Sequence, residues 1–250
     1  MGADTGFISK EAAAEHGFAY ATTRDEMLAA NGDKLIGQYN SGDVKKGLGE
    51  GTAPSLAAMA EKAVSMLENP NGFFLMIEGS TIDSFSHSNE MDGMLDAFKG
   101  FEAAVEYALT YARGRNDTMV LISADHETGG LTWDDTKKEF YFTTGGHTPT
   151  NVCYFAYTPE GTETPFKKDA DIRNIDIPTY AAITMGWGEE FPQAIYTKAG
   201  EPLKPVLGIF DAIGNGICQM FGLIPASITN VLLKPYFFVI DGIGELVGMF

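Results

Sequence analysis

The chain has 250 residues, of which 44% are hydrophobic and 20% charged. That is enough to bury one large core or two small ones, and it excludes a disordered or collagenous chain. Its 34 acidic residues outnumber 17 basic ones, giving a net charge of −17, a field that repels polyanions and argues against nucleic acid as a partner. From Phe191 to Phe250 the balance is only three bases against four acids, so the charge belongs to a soluble body in the first 190 residues. Two cysteines, Cys153 and Cys218, form neither a CxxC pair nor a zinc-knuckle spacing, and two buried thiols are the expectation. Met1 to Lys10 has no basic segment followed by an apolar stretch, so no signal peptide is expected there.

In chain order, Ile8 to His16, Arg24 to Ala30 and Pro54 to Leu67 read as helices. The third places Leu56, Met59, Ala60, Ala63 and Leu67 on one stripe, with Pro54 suited to a first helical turn. Gly37 to Thr52, rich in glycine and polar residues, reads as a loop. Gly72 to Ile77 is a continuous apolar run after the turn Asn69–Pro70–Asn71, as expected of a strand buried on both faces. Asp92 to Arg113 is a long amphipathic helix, its expected buried face marked by Met94, Leu95, Phe98, Phe101, Val105, Ala108, Leu109 and Ala112.

Thr118 to Ser123 is a second apolar run. Strand, long helix, strand predicts a βαβ unit whose strands run parallel with a right-handed crossover. Phe140–Phe142 and Val152–Tyr157 should add two more strands, and the body is expected to be a layered α/β domain.

The last fifty residues differ. From Leu203 to Phe250 only Lys204, Asp211, Lys234, Asp241 and Glu245 are charged. The uncharged window Ala212 to Leu233 is long enough for a bilayer, but Asn215, Gln219, Pro225, Ser227, Thr229 and Asn230 interrupt it. A helical hairpin packed on the body or on a partner is the first expectation and interfacial membrane contact the second. The division expected is therefore 1–190 for the body and 191–250 for the extension.

In a parallel α/β sheet, ligands gather at the carboxyl ends of strands. After the first expected strand comes Glu78–Gly79–Ser80–Thr81–Ile82–Asp83–Ser84–Phe85–Ser86–His87, and after the second Ala124–Asp125–His126–Glu127–Thr128–Gly129–Gly130. A third segment, Gly145–Gly146–His147–Thr148, precedes the strand from Val152. Three of only four histidines stand in these segments beside carboxylates; the fourth, His16, reads as structural or solvated. Asp83 and His87 are four apart, a spacing that puts carboxylate and imidazole on one face of a helical turn, able to grip one ion. Asp125 and His126 are adjacent, so both reach one centre only where the backbone leaves the strand, which Gly129–Gly130 permits. Each element alone is ordinary; three of them at expected strand ends point to a metal centre.

The run Gly72–Gly130, with FFLMIEGSTID, His87 and SADHETGGL, resembles the alkaline phosphatase family. So do the later GGHT segment followed by Tyr157–Thr158–Pro159 and, less specifically, the stretch from Phe18 to Gly37. The likeness runs from Met1 to about Trp187. It implies a three-layer α/β/α domain with a largely parallel central sheet, incomplete at its N-terminus, with the apolar helical tail as an addition. It implies that Asp83, His87 and His147 hold one zinc with a position left open, that Asp125 and His126 are two ligands of a second zinc, and that Glu78 is a magnesium ligand. Two such ions clamp the attacking and leaving oxygens of an in-line phosphoryl displacement. The implied substrate is a phosphate monoester, and the implied location periplasmic or extracellular.

In the family, the serine nucleophile, an aspartate bridging zinc and magnesium, a further magnesium ligand and a phosphate-clamping arginine lie upstream of the Glu78 motif. The chain is therefore expected to begin within the domain and to lack them, and neither Ser80 nor Ser123 matches the nucleophile. Ser84 stands where relatives often carry a larger residue. The first expectation is a phosphomonoesterase portion carrying metal ligands. A non-catalytic metal-binding module, or another superfamily hydrolase such as a phosphodiesterase, stays open, with Glu78 favouring the monoesterase. A homodimer and a membrane-surface or partner contact through the tail also stay open.

Overall fold

The computed structural model of the protein describes residues 1–186 apart from Thr5, Phe7 and Asp169, together with two short strands at Tyr196–Thr197 and Glu201–Pro202. The remainder of the apolar extension expected over 191–250, Cys218 included, lies outside the described residues. The chain divides into two compact units, Met1–Pro159 and Glu160–Phe250, and the first carries every candidate ligand.

Its N-terminal part is a three-stranded parallel sheet in the order β1–β3–β2, formed by β1 (Gly2–Ala3), β2 (Ala19–Ala21) and β3 (Leu35–Tyr39). Its helices start where a hydroxyl can satisfy an orphan amide. Ser9 caps α1 (Lys10–Glu15) by accepting from the Ala12 amide at 3.1 Å. Thr23 caps α2 (Arg24–Ala29), while the Glu26 carboxylate reaches back to the Thr22 amide at 2.7 Å. A short α3 (Ser41–Val44) follows β3, inside the stretch expected to be loop, because the Asn40 side chain accepts from the Gly42 and Asp43 amides. In α4 (Leu56–Leu67) Ser55 takes the cap, so Pro54 falls one residue outside the helix rather than in its first turn. Ala21, Met27, Tyr39, Ala53 and Met59 close over one another as a fully enclosed core beneath these elements.

The segment Gly72–Ile77 takes no regular secondary structure and joins no ladder among the described residues. Phe73, Leu75 and Ile77 are half-buried, and Phe73 meets the Tyr111 ring at 6.3 Å; Phe74 and Met76 alternate with them and are exposed. One face is thus covered where two were expected, and the expected parallel pairing with the next strand is not made. A seven-residue helix, α5 (Thr81–His87), and the 23-residue α6 (Met91–Arg113) come next. The tightest face of α6 is made of small residues, Ala97, Gly100, Ala104 and Ala112, alongside Met94. Leu95 and Phe98, expected inside, are exposed. The small residues win that face because the chain crosses α6 closely: a Cβ on Gly100 would lie 2.3 Å from the Lys46 carbonyl oxygen.

The strand β4 (Val120–Ser123) appears as expected but pairs antiparallel with β9 (Tyr154–Tyr157). Between them lie two short strand pairs: β5 (Glu127–Thr128) pairs with β8 (His147–Thr148), and β6 (Thr132–Asp134) with β7 (Glu139–Tyr141), both antiparallel. Cys153, just before β9, is exposed rather than buried, since it falls in the short link between two ladders. In the second unit, α7 (Ile177–Thr184) follows a 3-10 turn at Asn174–Asp176, and Phe166 packs edge-on against Tyr180 at 5.5 Å. Tyr196–Thr197 (β10) and Glu201–Pro202 (β11) pair antiparallel. Among the described residues no helix is long and apolar enough to cross a membrane.

Candidate metal centre

Helix α5 is two-faced by its spacing. Ile82 and Phe85 face inward, Phe85 closing a core with Met94 and Ala97 against which Ile82, Met91 and Phe142 pack. Ser86, buried beside them, returns its hydroxyl to the Ile82 carbonyl at 2.8 Å. Asp83 and His87 therefore share the opposite, solvent-facing side, with His87 Nε2 3.4 Å from Asp83 Oδ2.

The chain leaves β4 at Ser123 and turns through Asp125–His126 into β5, then reverses at Gly129 and Gly130, whose φ angles are +90° and +59°. Both positions need glycine: besides the left-handed backbone, a Cβ at Gly129 would stand 2.5 Å from the Phe142 ring and one at Gly130 2.1 Å from Thr143 Oγ1. The turn is tied to the third segment by the Gly129 amide donating to the Gly146 carbonyl at 3.0 Å, and by the Thr143 amide donating to the Gly129 carbonyl at 2.9 Å. The β5–β8 register sets Thr128 opposite His147.

Three distant segments thus meet. His147 Nε2 lies 3.1 Å from His87 Nε2 and 3.7 Å from Asp83 Oδ1. His126 stacks on His147 with ring centroids 3.6 Å apart and planes at 27°. Asp83, His126 and His147 each offer a ligand atom within 4.8 Å of the other two. Asp125 is exposed, its Oδ2 3.3 Å from His126 Nε2. Glu78, in the segment ahead of α5, is exposed and outside that three-residue convergence. His16 is exposed at the C-terminal end of α1 and is not part of that convergence.

Hydrogen bonds assign the imidazole tautomers. His87 Nδ1 donates to the Gly145 carbonyl at 2.7 Å, leaving the Nε2 lone pair for a cation. Thr128 Oγ1 gives its single proton to Asp83 Oδ1 at 2.5 Å, so His126 Nδ1, 3.1 Å away, donates to that oxygen and Nε2 again keeps its lone pair. The two imidazole nitrogens are 3.1 Å apart, with His87 Nε2 3.4 Å from one Asp83 oxygen, Oδ2, and His147 Nε2 3.7 Å from the other, Oδ1, spacings near the roughly 3.3–3.4 Å edge of a tetrahedron with ~2.0–2.1 Å bonds, the bond length of zinc to nitrogen. The donor set fits a divalent, nitrogen-preferring ion.

Sequence reasoning gave no role to Glu127, Thr128 or Thr148. Burial works against the charge of Glu127, but hydrogen bonds from the Thr148 hydroxyl and from the Leu131 and Gly130 amides outweigh it and hold its carboxyl below the ordinary glutamate range. Their signal was only the adjacency of hydrogen-bonding residues to the histidines, which does not say who bonds to whom.

Three imidazoles and a carboxylate of an α/β domain thus meet at one surface, a donor set able to hold a metal ion. The alkaline phosphatase family model matches residues 4–178, and the chain belongs to the alkaline phosphatase family. It is 36% identical over 118 residues to alkaline phosphatase 4 of Bacillus subtilis, covering 46% of this chain and 26% of that protein. It is 31% identical over 170 residues to the tissue-nonspecific alkaline phosphatase of Rattus norvegicus, covering 66% of this chain and 30% of that one. The chain therefore spans between a quarter and a third of the length of these relatives. Among solved structures, the alkaline phosphatase of the Antarctic bacterium TAB5 superposes with a TM-score of 0.50 at 27% identity, over 60% of this chain and 47% of that one. The fold alone is also shared with a cold-active alkaline phosphatase from Shewanella sp., at a TM-score of 0.56 and 21% identity over 64% and 59% of the two chains.

Proposed function

We propose that this chain carries the metal-holding part of an alkaline phosphatase-like site that hydrolyses phosphate monoesters. The supporting observation is the convergence of Asp83, His87 and His147 at 3.1–3.7 Å from two separated segments, with His126 stacked beside them from a third. In this reading Asp83, His87 and His147 hold one zinc, Asp125 and His126 contribute to a second, and Glu78 holds magnesium. The serine nucleophile and the arginine come from outside these 250 residues, and the complete domain has a largely parallel central sheet. When bound, the divalent cations supply positive charge against phosphoryl oxygens, in a protein whose net charge of −17 would otherwise repel them.

The chain's own residues orient that site. The Gly145 carbonyl keeps His87 turned with Nε2 toward Asp83, and the Thr128 hydroxyl bridges Asp83 and His126. These ties fix the donors before any ion arrives, which is the condition for a defined geometry. A location outside the cytoplasm follows from the same reading.

The test is binding of inorganic phosphate followed by phosphorus NMR, with and without zinc. Zinc-loaded chain should bind phosphate, chelated chain should not, and hydrolysis of an aryl phosphate should run several orders of magnitude below an intact enzyme. Phosphate binding indifferent to zinc would count against the reading. Zinc uptake with no phosphate binding would favour a non-catalytic metal-binding module.

A further inference from the structure

Resting on the metal-centre reading above, we propose that Glu127 is a positioning residue for the cluster, a carboxylate clamp that sets His126 and His147 against each other without touching the ion. Both of its oxygens are engaged across two segments. Oε2 accepts from the Thr148 hydroxyl and from the Gly130 amide at 3.2 Å, and Oε1 accepts from the Leu131 amide at 3.1 Å. Glu127 follows His126 directly, and Thr148 follows His147. Glu127 and Thr148 are also register partners, so their bond closes the rung beside the one holding His147.

The clamp matters because the ladder beneath it is minimal. Strands β5 and β8 have two residues each, and a two-stranded pair is marginal in water even at greater length. Yet the ladder must hold the His126 and His147 rings at a centroid distance of 3.6 Å. Bonds from a charged acceptor are about twice as strong as neutral ones. The same carboxylate holds the Gly130 and Leu131 amides, adding to the backbone bonds that tie the Gly129 turn to the Gly146 and Thr143 segment.

The experiment is zinc affinity of the full 250-residue chain, paired with the visible spectrum of its cobalt(II) form, which reports ligand geometry. Glu127→Ala should weaken zinc binding by about 10- to 100-fold, the range for groups that orient ligands, and shift the cobalt bands. Glu127→Gln, which keeps an acceptor oxygen and the side-chain shape, should restore much of the loss. Thr148→Val should weaken binding in the same direction, and the double variant Glu127→Ala/Thr148→Val should be no worse than Glu127→Ala, since the two share one contact. Met27→Ala, in the separate enclosed core, should lower stability while leaving zinc affinity and the cobalt spectrum of the folded chain unchanged.

A wild-type chain that takes up no zinc overturns the metal-centre reading and this proposal with it. Zinc binding by wild type that Glu127→Ala matches within about twofold overturns this proposal alone, as does a Met27→Ala loss equal to that of Glu127→Ala. Should Glu127→Ala not fold, Glu127→Gln and Thr148→Val carry the test, and unchanged affinity and spectra in both overturn it.

Discussion

Two regions of the first unit are built on opposite principles. The core under β2, β3 and α4 is enclosed and apolar: Ala21, Met27 and Tyr39 have no exposed surface, and the closing force is burial. The cluster at α5, β5 and β8 is open and polar, with Asp83 and His87 each about two-fifths exposed, and what holds it is a set of hydrogen bonds between side chains and turns. The first region should determine whether the chain is folded, the second what the folded chain binds. Substitutions that separate those two readouts would sharpen the contrast; substitutions that move both together would break it.

The largest effect is expected at His147. His147→Ala removes the imidazole that faces Asp83, His87 and His126 together, and zinc affinity should fall by at least about 100-fold, beyond the loss typical of orienting groups. Stability of the metal-free chain should change by less than about 1 kcal/mol, as for other partly exposed side chains. Urea melts with and without zinc would measure both. Met27→Ala should do the reverse, costing about 2–5 kcal/mol from the cavity it leaves while sparing metal affinity. Gly129→Ala, in the turn beside His126, should move both readouts together. Its φ of +90° and the 2.5 Å approach to Phe142 should cost about 1–3 kcal/mol and weaken zinc binding too, because the turn carries His126.

The smallest effect concerns Tyr39, whose hydroxyl is buried without a hydrogen-bond partner. Tyr39→Phe should leave stability unchanged or raise it by about 1 kcal/mol at neutral pH. Burial, with the nearby Glu26 charge adding to it, raises the Tyr39 pKa above its ordinary value. The unfolded tyrosine ionises near pH 10 while the folded one resists. Its contribution is therefore fully present below that pH and is lost as pH rises toward the higher folded value. The advantage of Tyr39→Phe should accordingly grow in melts above about pH 10.

What the sequence disclosed follows from the physics of each element. Local signals transferred well: the four-residue spacing of Asp83 and His87 is a property of any helical turn, and α5 realises it. The helices read from Ile8, Arg24 and Pro54 begin within two residues of those positions, at Lys10, Arg24 and Leu56. Gly129–Gly130 announced the turn that frees Asp125 and His126 from the strand. Pairing transferred poorly. Apolarity states how a strand would be covered, not which backbone lies beside it, and Gly72–Ile77 was expected to pair parallel with β4, which instead pairs antiparallel with β9. In α6 a count of large apolar residues chose Leu95 and Phe98, whereas close crossing selects Ala97, Gly100 and Ala104. The stacking of His126 on His147 and the ties through Glu127 and Thr128 arise from contacts between segments about twenty to forty-five residues apart, which no local pattern encodes.

X-ray absorption at the zinc edge, on the zinc-loaded 250-residue chain, tests the centre most directly. Wild type should show only nitrogen and oxygen neighbours at ~2.0–2.1 Å with the outer-shell scattering of at least two imidazoles, and His87→Ala and His147→Ala should each remove one. A spectrum with no imidazole signature, or one unaltered by both substitutions, would place the ion elsewhere and contradict the account.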